Sequence, residues 1–201
     1  LQTILNTQAG MSYSHVSKLR MVMQELFRQA RRSRLIIYDP AEGLLLPESV
    51  KRSHRPITKA ERRHILAVAQ THPAGLWVLT ILYTGLRPGE TAALFWEDID
   101  FDRNEIHVYK AVESGTRTIK APKTPAGIRD IPMRQELRER LLAVRGEGAA
   151  PGFPSANGGI RSANSLRRLW NSFAHALDLH MGAKVRDGQI LQHAIAPDLT
   201  P

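Results

Sequence analysis

Arg87 and Glu90, one helical turn apart, are the chain's best candidates for chemistry. They lie in Thr84-Gly85-Leu86-Arg87-Pro88-Gly89-Glu90, which continues to Leu94, Trp96, Asp98, Ile99 and Asp100. Arginine keeps its charge at any working pH and can hold two phosphate oxygens at once. Gly85 suits the left-handed end of one helix and Pro88 the first turn of the next. That places Arg87 at a helix N-terminus, where backbone N–H groups and the macrodipole favour an anion. Glu90 can orient the groups around it. An isolated Arg-x-x-Glu would read as a surface ion pair of small value, so the weight rests on its surroundings.

Lys123 comes next, in Lys120-Ala-Pro-Lys123-Thr-Pro-Ala-Gly-Ile-Arg129-Asp-Ile-Pro132. It falls between two expected strands, near a turn at Pro125–Gly127. A lysine on a hairpin can reach into a groove, and its pKa falls when it is desolvated. Both properties suit a general acid that protonates a leaving alkoxide. Taken alone, such a residue reads more simply as a solvated hairpin lysine. Lys120 and Arg117 compete for the same role, because the register of the hairpin is open. None of the eight histidines is followed three positions on by Arg, and there is no H-E-x-x-H zinc motif. His175 and His180 read as flanks of a long helix, and His193 as a loop residue.

The elements that must position these groups are legible in outline. Ser14 to Ser33 reads as a helix, with Val16, Leu19, Met23, Leu26, Phe27 and Ala30 on one apolar stripe. Pro47 to Pro56 is polar, basic and bounded by prolines, and reads as a semi-extended linker. A second unit starts at Ile57. Thr58 and Glu61 form a capping box for the next helix. Pro73 to Tyr83 is an apolar helix, followed by the Arg87 turn and a short helix ending near Phe95–Trp96. Glu105–Lys110, Thr116–Ile119 and Ile128–Ile131 read as strands of one small antiparallel sheet. Met133–Val144 and Ser162–Leu179 read as helices, the latter with Leu166, Leu169, Phe173, Ala176 and Leu177 on one face. Gly146–Gly159 is a loop, and the pattern turns irregular after Gly182. The fold class is mainly α with a small three-stranded antiparallel sheet (α+β).

Composition narrows the partner. The chain has 201 residues, 42% of them apolar, enough for a core, and a formal charge of +9. Its isoelectric point near 10.3 favours a polyanion, nucleic acid first and an anionic membrane face second. The absence of cysteine excludes disulfides and Cys-based zinc sites and fits a reducing cytosol. No apolar run approaches the roughly 20 residues of a membrane span. The sequence starts at Leu1 without a signal-peptide pattern, and reads as a piece of a longer protein.

The Arg87 segment, followed by the Lys-Thr-x-x-x-x-Arg-x-Ile-Pro pattern from Lys123 to Pro132, resembles the catalytic domain of the tyrosine site-specific recombinases, the phage integrase family. The resemblance implies a catalytic-domain-like fold, truncated at the C-terminus. Residues 1–46 would be the last part of a helical core-binding domain, 47–56 a linker and 57–201 the first part of the catalytic domain. It implies cleavage and rejoining of duplex DNA through a 3′-phosphotyrosyl link, with no metal or other cofactor and no membrane role. Arg87 would be the first of two arginines that clamp the scissile phosphate, Glu90 its supporting acid and Lys123 the general acid. Lys18, Lys51, Arg52, Arg55, Arg117, Lys120 and Arg129 would contact DNA. The full-length protein would act in the cytoplasm of a bacterium, bacterial or phage-encoded, as a homo-oligomer, a tetramer on DNA. The family's second arginine, its histidine and its nucleophile would follow Pro201, since Tyr13, Tyr38, Tyr83 and Tyr109 all precede that point. The chain as given would then be inactive in cleavage. Two alternatives are a DNA-binding module or degenerate recombinase that never cleaves, and a basic helical protein that binds RNA or membrane.

Overall fold

Ser12 opens a 20-residue helix by accepting a hydrogen bond from the His15 N–H, and the chain's first unit is built around that helix. This computed structural model describes residues 1–48, 55–113, 115–122, 124–195 and 199. The expected DNA contacts Lys51 and Arg52 and the candidate acid Lys123 lie outside the described residues. The chain forms two compact units, Leu1–Arg55 and Pro56–Pro201.

In the first unit, α1 (Gln2–Asn6) and α2 (Tyr13–Arg32) enclose a small core of Leu5, Val16, Ala41 and Leu44. Leu19, Met23 and Phe27 pack partly buried against it, as the helical spacing requires. Leu26, expected on the same stripe, is 59% exposed. Among the described residues, Leu1, α1, the Ala41–Leu44 turn and Leu46 build the rest of this core, and they cover a narrower arc of α2 than the stripe spans. The Gln2 side chain ties the chain back on itself, donating to the Leu45 carbonyl at 2.9 Å and accepting from the Leu45 N–H at 3.0 Å.

The second unit begins with α3 (Lys59–Val68) and its expected capping box. The Glu61 N–H donates to Thr58 Oγ1 at 3.2 Å, and the Thr58 N–H donates to Glu61 Oε2 at 2.8 Å. α4 (Gly75–Thr84) is apolar on nearly every side, with Trp77, Val78 and Leu79 buried. Its start packs hard on the end of α3. A Cβ at Gly75 would lie 2.1 Å from the Ala69 carbonyl oxygen, so only glycine fits. α4 ends on Gly85 in the left-handed region at φ +67, which turns the chain sharply into α5 (Pro88–Ala92). The buried Trp77 Nε1–H donates to Thr91 Oγ1 at 2.9 Å, and that hydroxyl donates to the Pro88 carbonyl at 2.8 Å. This chain of bonds pins α5, and hence the Arg87 turn, to the core helix.

The sheet differs in membership from the sequence expectation. Its three antiparallel strands are β1 (Ile99–Asp100), β2 (Glu105–Val108) and, paired to the other side of β2, the segment Arg129–Pro132. Ile106 and Val108 share the buried face, as their alternation indicates. The expected strand Thr116–Ile119 is not in this sheet. Residues after Val108 peel away as a separate ribbon, in which β3 (Ala111–Val112) pairs with β4 (Ile119–Lys120). The Arg129–Pro132 strand is therefore β5 in chain order. α6 (Gln135–Ala143) and α7 (Ala163–His180) follow, and Leu137, Leu141, Leu166, Phe173 and Leu177 close the core against Ile65, Leu79 and Trp96. The short helix expected to reach Phe95–Trp96 stops at Ala92, and Trp96–Asp98 forms a separate 3₁₀ turn. The region after Gly182, read as irregular, holds a hairpin of β6 (Lys184–Arg186) and β7 (Gln189–Gln192). Its turn is Asp187-Gly188, both at positive φ, the residue pair that a two-residue hairpin loop favours.

Candidate functional site

Arg87 caps the N-terminus of α5, and Glu90 reaches back to it. The Arg87 N–H donates to Glu90 Oε2 at 2.8 Å, and Arg87 Nη1 donates to Glu90 Oε1 at 3.1 Å. A second arginine completes the arrangement from the sheet. Arg129, on β5, donates from Nη1 to Glu90 Oε1 at 3.1 Å and from Nη2 to Glu90 Oε2 at 2.9 Å. This fork-on-fork geometry is the strong form of an arginine–carboxylate pair. Glu90 is only 8% exposed and Arg129 31%, whereas Arg87 is 78% exposed. One buried carboxylate thus sits between two guanidinium groups and leaves a net positive charge. Arg87 projects that charge toward solvent.

The electrostatics follow from this geometry. Burial pushes the Glu90 carboxyl up, but the hydrogen bonds from Arg129 and the Arg87 backbone, with both guanidinium charges, bring it below the usual carboxylate range. The same contact with Glu90 raises the pKa of Arg129. The expected orienting role of Glu90 is therefore realised with an additional partner. Arg129, read from the sequence as a DNA contact, directs both terminal nitrogens to Glu90.

A cavity of about 1020 Å³ opens beside this cluster, lined among others by Arg87, Glu90, Lys110, Lys120, Arg161 and Trp170. Gly89 forms part of its wall where α5 crosses β3, and a Cβ there would lie 2.9 Å from the Val112 carbonyl oxygen. Lys120 lies on β4, and its Nζ is 2.6 Å from Glu113 Oε1. Arg117 is exposed near the tip of that ribbon. Pro122 and Thr124, the neighbours of Lys123, line the cavity. Lys18 is exposed on α2 and Arg55 is exposed at the end of the first unit, whereas the cluster is built from residues of the second.

Sequence reasoning missed three groups here. Lys110 is 13% exposed, with Nζ 2.9 Å from Asp98 Oδ2 and 4.4 Å from the centroid of the Phe95 ring. Asp98 also accepts from the Phe95 N–H at 2.8 Å and from the Tyr109 hydroxyl at 2.6 Å, so it organises one wall of the cavity. Arg161 precedes the Ser162 cap of α7, and only its place next to a helix start marked it. His193 pairs with the buried Asp178, which also accepts the N–H groups of Ala194 and Ile195.

The hydroxyls of both tyrosines of the second unit donate to carboxylates. The Tyr83 hydroxyl donates to Glu136 at 2.7 Å, between the guanidinium groups of Arg62 and Arg134. Burial first, then the bond to Glu136, raises its pKa. For Tyr109 the bond to Asp98 is the main cause of a raised pKa. Among the described residues, no three His, Cys, Asp or Glu side chains converge to hold a metal ion. No described helix is long and apolar enough to cross a membrane.

The chain is similar in sequence to integrases and tyrosine recombinases, and it has the fold of solved integrases. In particular, it is 29% identical over 136 residues to prophage integrase IntR of Escherichia coli K12, a match covering 68% of this chain and 33% of that protein. It is 26% identical over 155 residues to a XerC-like tyrosine recombinase of Caldanaerobacter subterraneus, covering 69% of this chain and 40% of the relative. The Tn1549 transposon integrase, solved in complex with circular intermediate DNA, superposes with a TM-score of 0.72 at 22% identity over 92% of this chain and 65% of its own. No protein-family model matches the chain. The chain spans a third to two fifths of the length of the two curated relatives.

Proposed function

We propose that the full-length protein cleaves and rejoins duplex DNA for site-specific recombination or integration. A tyrosine outside this chain would attack a backbone phosphate, form a 3′-phosphotyrosyl bond and release a 5′-hydroxyl. Attack by the 5′-hydroxyl of a partner strand would reverse the step and free the tyrosine. The phosphotyrosyl link conserves the energy of the phosphodiester, so the exchange requires no nucleotide. The observation that carries this reading is the Glu90 carboxylate clamped between Arg129 and Arg87, which presents one exposed guanidinium to a basic cavity.

In this reading Arg87 stabilises the extra negative charge of the pentacoordinate phosphate, the largest single task in phosphoryl transfer. Glu90 and Arg129 position it. Lys123 protonates the leaving 5′-oxygen, and Lys120, held by Glu113, serves as a DNA contact instead. Residues 1–46 belong to a helical DNA-binding domain that forms the other jaw of a clamp, and 47–56 join it to the catalytic domain. The assembly on DNA is a homo-oligomer, a tetramer, and the setting is the bacterial cytoplasm. A second reading, in which this chain binds DNA without cutting it, draws support from the bond of the Tyr83 hydroxyl to Glu136, away from the cavity. The two readings coexist if the nucleophile comes from elsewhere in the full-length protein.

The test uses the 201-residue chain. It should bind duplex DNA with an affinity that falls steeply with salt, a log–log slope of roughly −3.6 to −5.4 for about four to six neutralised phosphates. It should leave no denaturant-stable adduct on a nicked suicide duplex. Absence of duplex binding at low salt, or a flat salt response, would remove the DNA reading. An adduct would force one of the four tyrosines into the role of nucleophile.

A further inference from the structure

The β6–β7 hairpin is exposed along both strands, yet its root is fixed in the core. Val185 is 45% exposed and Leu191 66%, and only Ile190 is partly buried. A two-stranded ribbon on its own is marginal in water. Here both of its feet are tied to one residue, Asp178, near the end of α7. The Ala183 N–H donates to the Asp178 carbonyl at 3.0 Å. The Ala194 and Ile195 N–H groups donate to Asp178 Oδ1, and His193 pairs with Oδ2. Asp178 is 1% exposed. Burial pushes its carboxyl up, and the bonds from Ile195, His193 and Ala194 bring it below the usual carboxylate range. A buried carboxylate is costly, and this one holds out an arm that buries almost nothing.

Pairing and alternation place four polar side chains on one face of that arm. Lys184 pairs with Gln192 and Arg186 with Gln189, and the two cations are two residues apart on one strand. All four are exposed. Lys184, Gln189 and Gln192 make no side-chain hydrogen bond or ion pair among the described residues. Arg186 has only a loose contact with the exposed Asp187, at 3.7 Å. A polar face on a surface ribbon needs no partner by itself, but the buried anchor at its root marks this one as presented. The residue types choose the partner. Arginine offers two parallel donors to guanine, and glutamine matches adenine with a donor and an acceptor. The major groove of B-DNA, about 12 Å wide, admits a two-stranded ribbon, whereas that of RNA is too deep and narrow to be read. We propose that the β6–β7 hairpin is a sequence-reading ribbon for the major groove of duplex DNA. Arg186 and Gln189 flank the turn, reach deepest and contact base edges. The Asp187 carboxylate at the tip suits a cytosine amino group. Lys184 and Gln192, nearer the root, contact the backbone, and Asp178 is the positioning residue that fixes the ribbon. The inference rests on the DNA reading above, though not on cleavage.

The experiment selects bound duplexes from a random-sequence pool at low salt, with the 201-residue chain and with Arg186→Ala/Gln189→Ala. The wild type should enrich a motif. The double variant should lose base preference at a few adjacent positions of it. Its preference for the wild-type motif over random duplex should fall roughly 5- to 150-fold, the range for losing one good bidentate base contact. Its affinity for random duplex should stay within about threefold of wild type, because phosphate contacts elsewhere supply that term. Its thermal midpoint should not change, since both side chains are exposed. The same motif and preference in the double variant would overturn the proposal. So would an equal loss on motif and random duplex, which marks a phosphate contact, or a hairpin-dependent dimer in sedimentation without DNA, which marks a protein interface. Wild-type binding to duplex with no motif enriched removes this proposal and leaves the DNA reading standing. Absence of duplex binding removes both.

Discussion

Arg87→Ala in the full-length protein is expected to slow covalent strand cleavage by about 10²–10³-fold, the scale for deleting one preorganised donor at a developing oxyanion. The reason is geometric. Arg87 is the outward member of the cluster, 78% exposed, while its backbone N–H and guanidinium are both oriented by Glu90. Its charge is therefore fixed in direction before substrate arrives and needs no reorganisation in the transition state. Duplex affinity should fall far less, because many other cations contact phosphates. Single-turnover cleavage at saturating protein separates the two effects. A loss confined to affinity, with the saturated rate intact, would show that Arg87 only helps to bind DNA.

Glu90→Ala should damage both stability and activity. It removes the one carboxylate between two guanidinium groups and the acceptor that caps the first turn of α5. Breaking a buried pair on one side costs about 3–5 kcal/mol. Arg87 and Arg129 retain some contact with water, so the expected loss is about 2–3 kcal/mol, measured by urea unfolding. The pH dependence has a definite sign. The folded-state pKa of Glu90 lies below its ordinary value of 4.5. Its contribution is therefore fully present above pH 4.5 and is lost as pH falls through the folded value. Below pH 4.5 the wild type should lose stability faster than Glu90→Gln, whose amide does not titrate. Parallel curves for the two proteins would show that the carboxylate charge does not stabilise the cluster.

The parts of this site that are local in sequence could be read from it. Gly85, Pro88 and the three-residue spacing of Arg87 and Glu90 define a helix end, a turn and a helix start through short-range backbone rules. The Thr58–Glu61 box and the apolar face of α7 were legible for the same reason. What could not be read depends on distant partners. Arg129 joins Glu90 only because β5 pairs with β2 and brings a residue 39 positions away back to α5. The sequence alone made it one more basic residue. Strand membership failed where strands are two residues long, since Ile99–Asp100 and Ala111–Val112 are too short to show alternation. The Lys184–Gln192 hairpin is a different case, because the Asp187-Gly188 signal was present among residues too polar and exposed to mark strands. Arg161 had only its place beside the Ser162 cap of α7 to mark it. Its buried Nε–H, without a partner among the described residues, is a property of packing.

The central claim is that the full-length protein divides the chemistry of a phosphodiester between charge stabilisation by Arg87 and proton donation by Lys123. A duplex with sulfur in place of the bridging 5′-oxygen at the cleavage site tests that division directly, because sulfur leaves without a proton. The measurement is the single-turnover cleavage rate of the full-length protein on oxygen and sulfur substrates, for the wild type, Arg87→Ala, Lys123→Ala and Lys120→Ala. Lys123→Ala should be slow on oxygen and restored on sulfur, Arg87→Ala slow on both, and Lys120→Ala close to wild type in cleavage on both. Rescue of Arg87→Ala by sulfur, rescue of Lys120→Ala in place of Lys123→Ala, or rescue of neither lysine variant would contradict it.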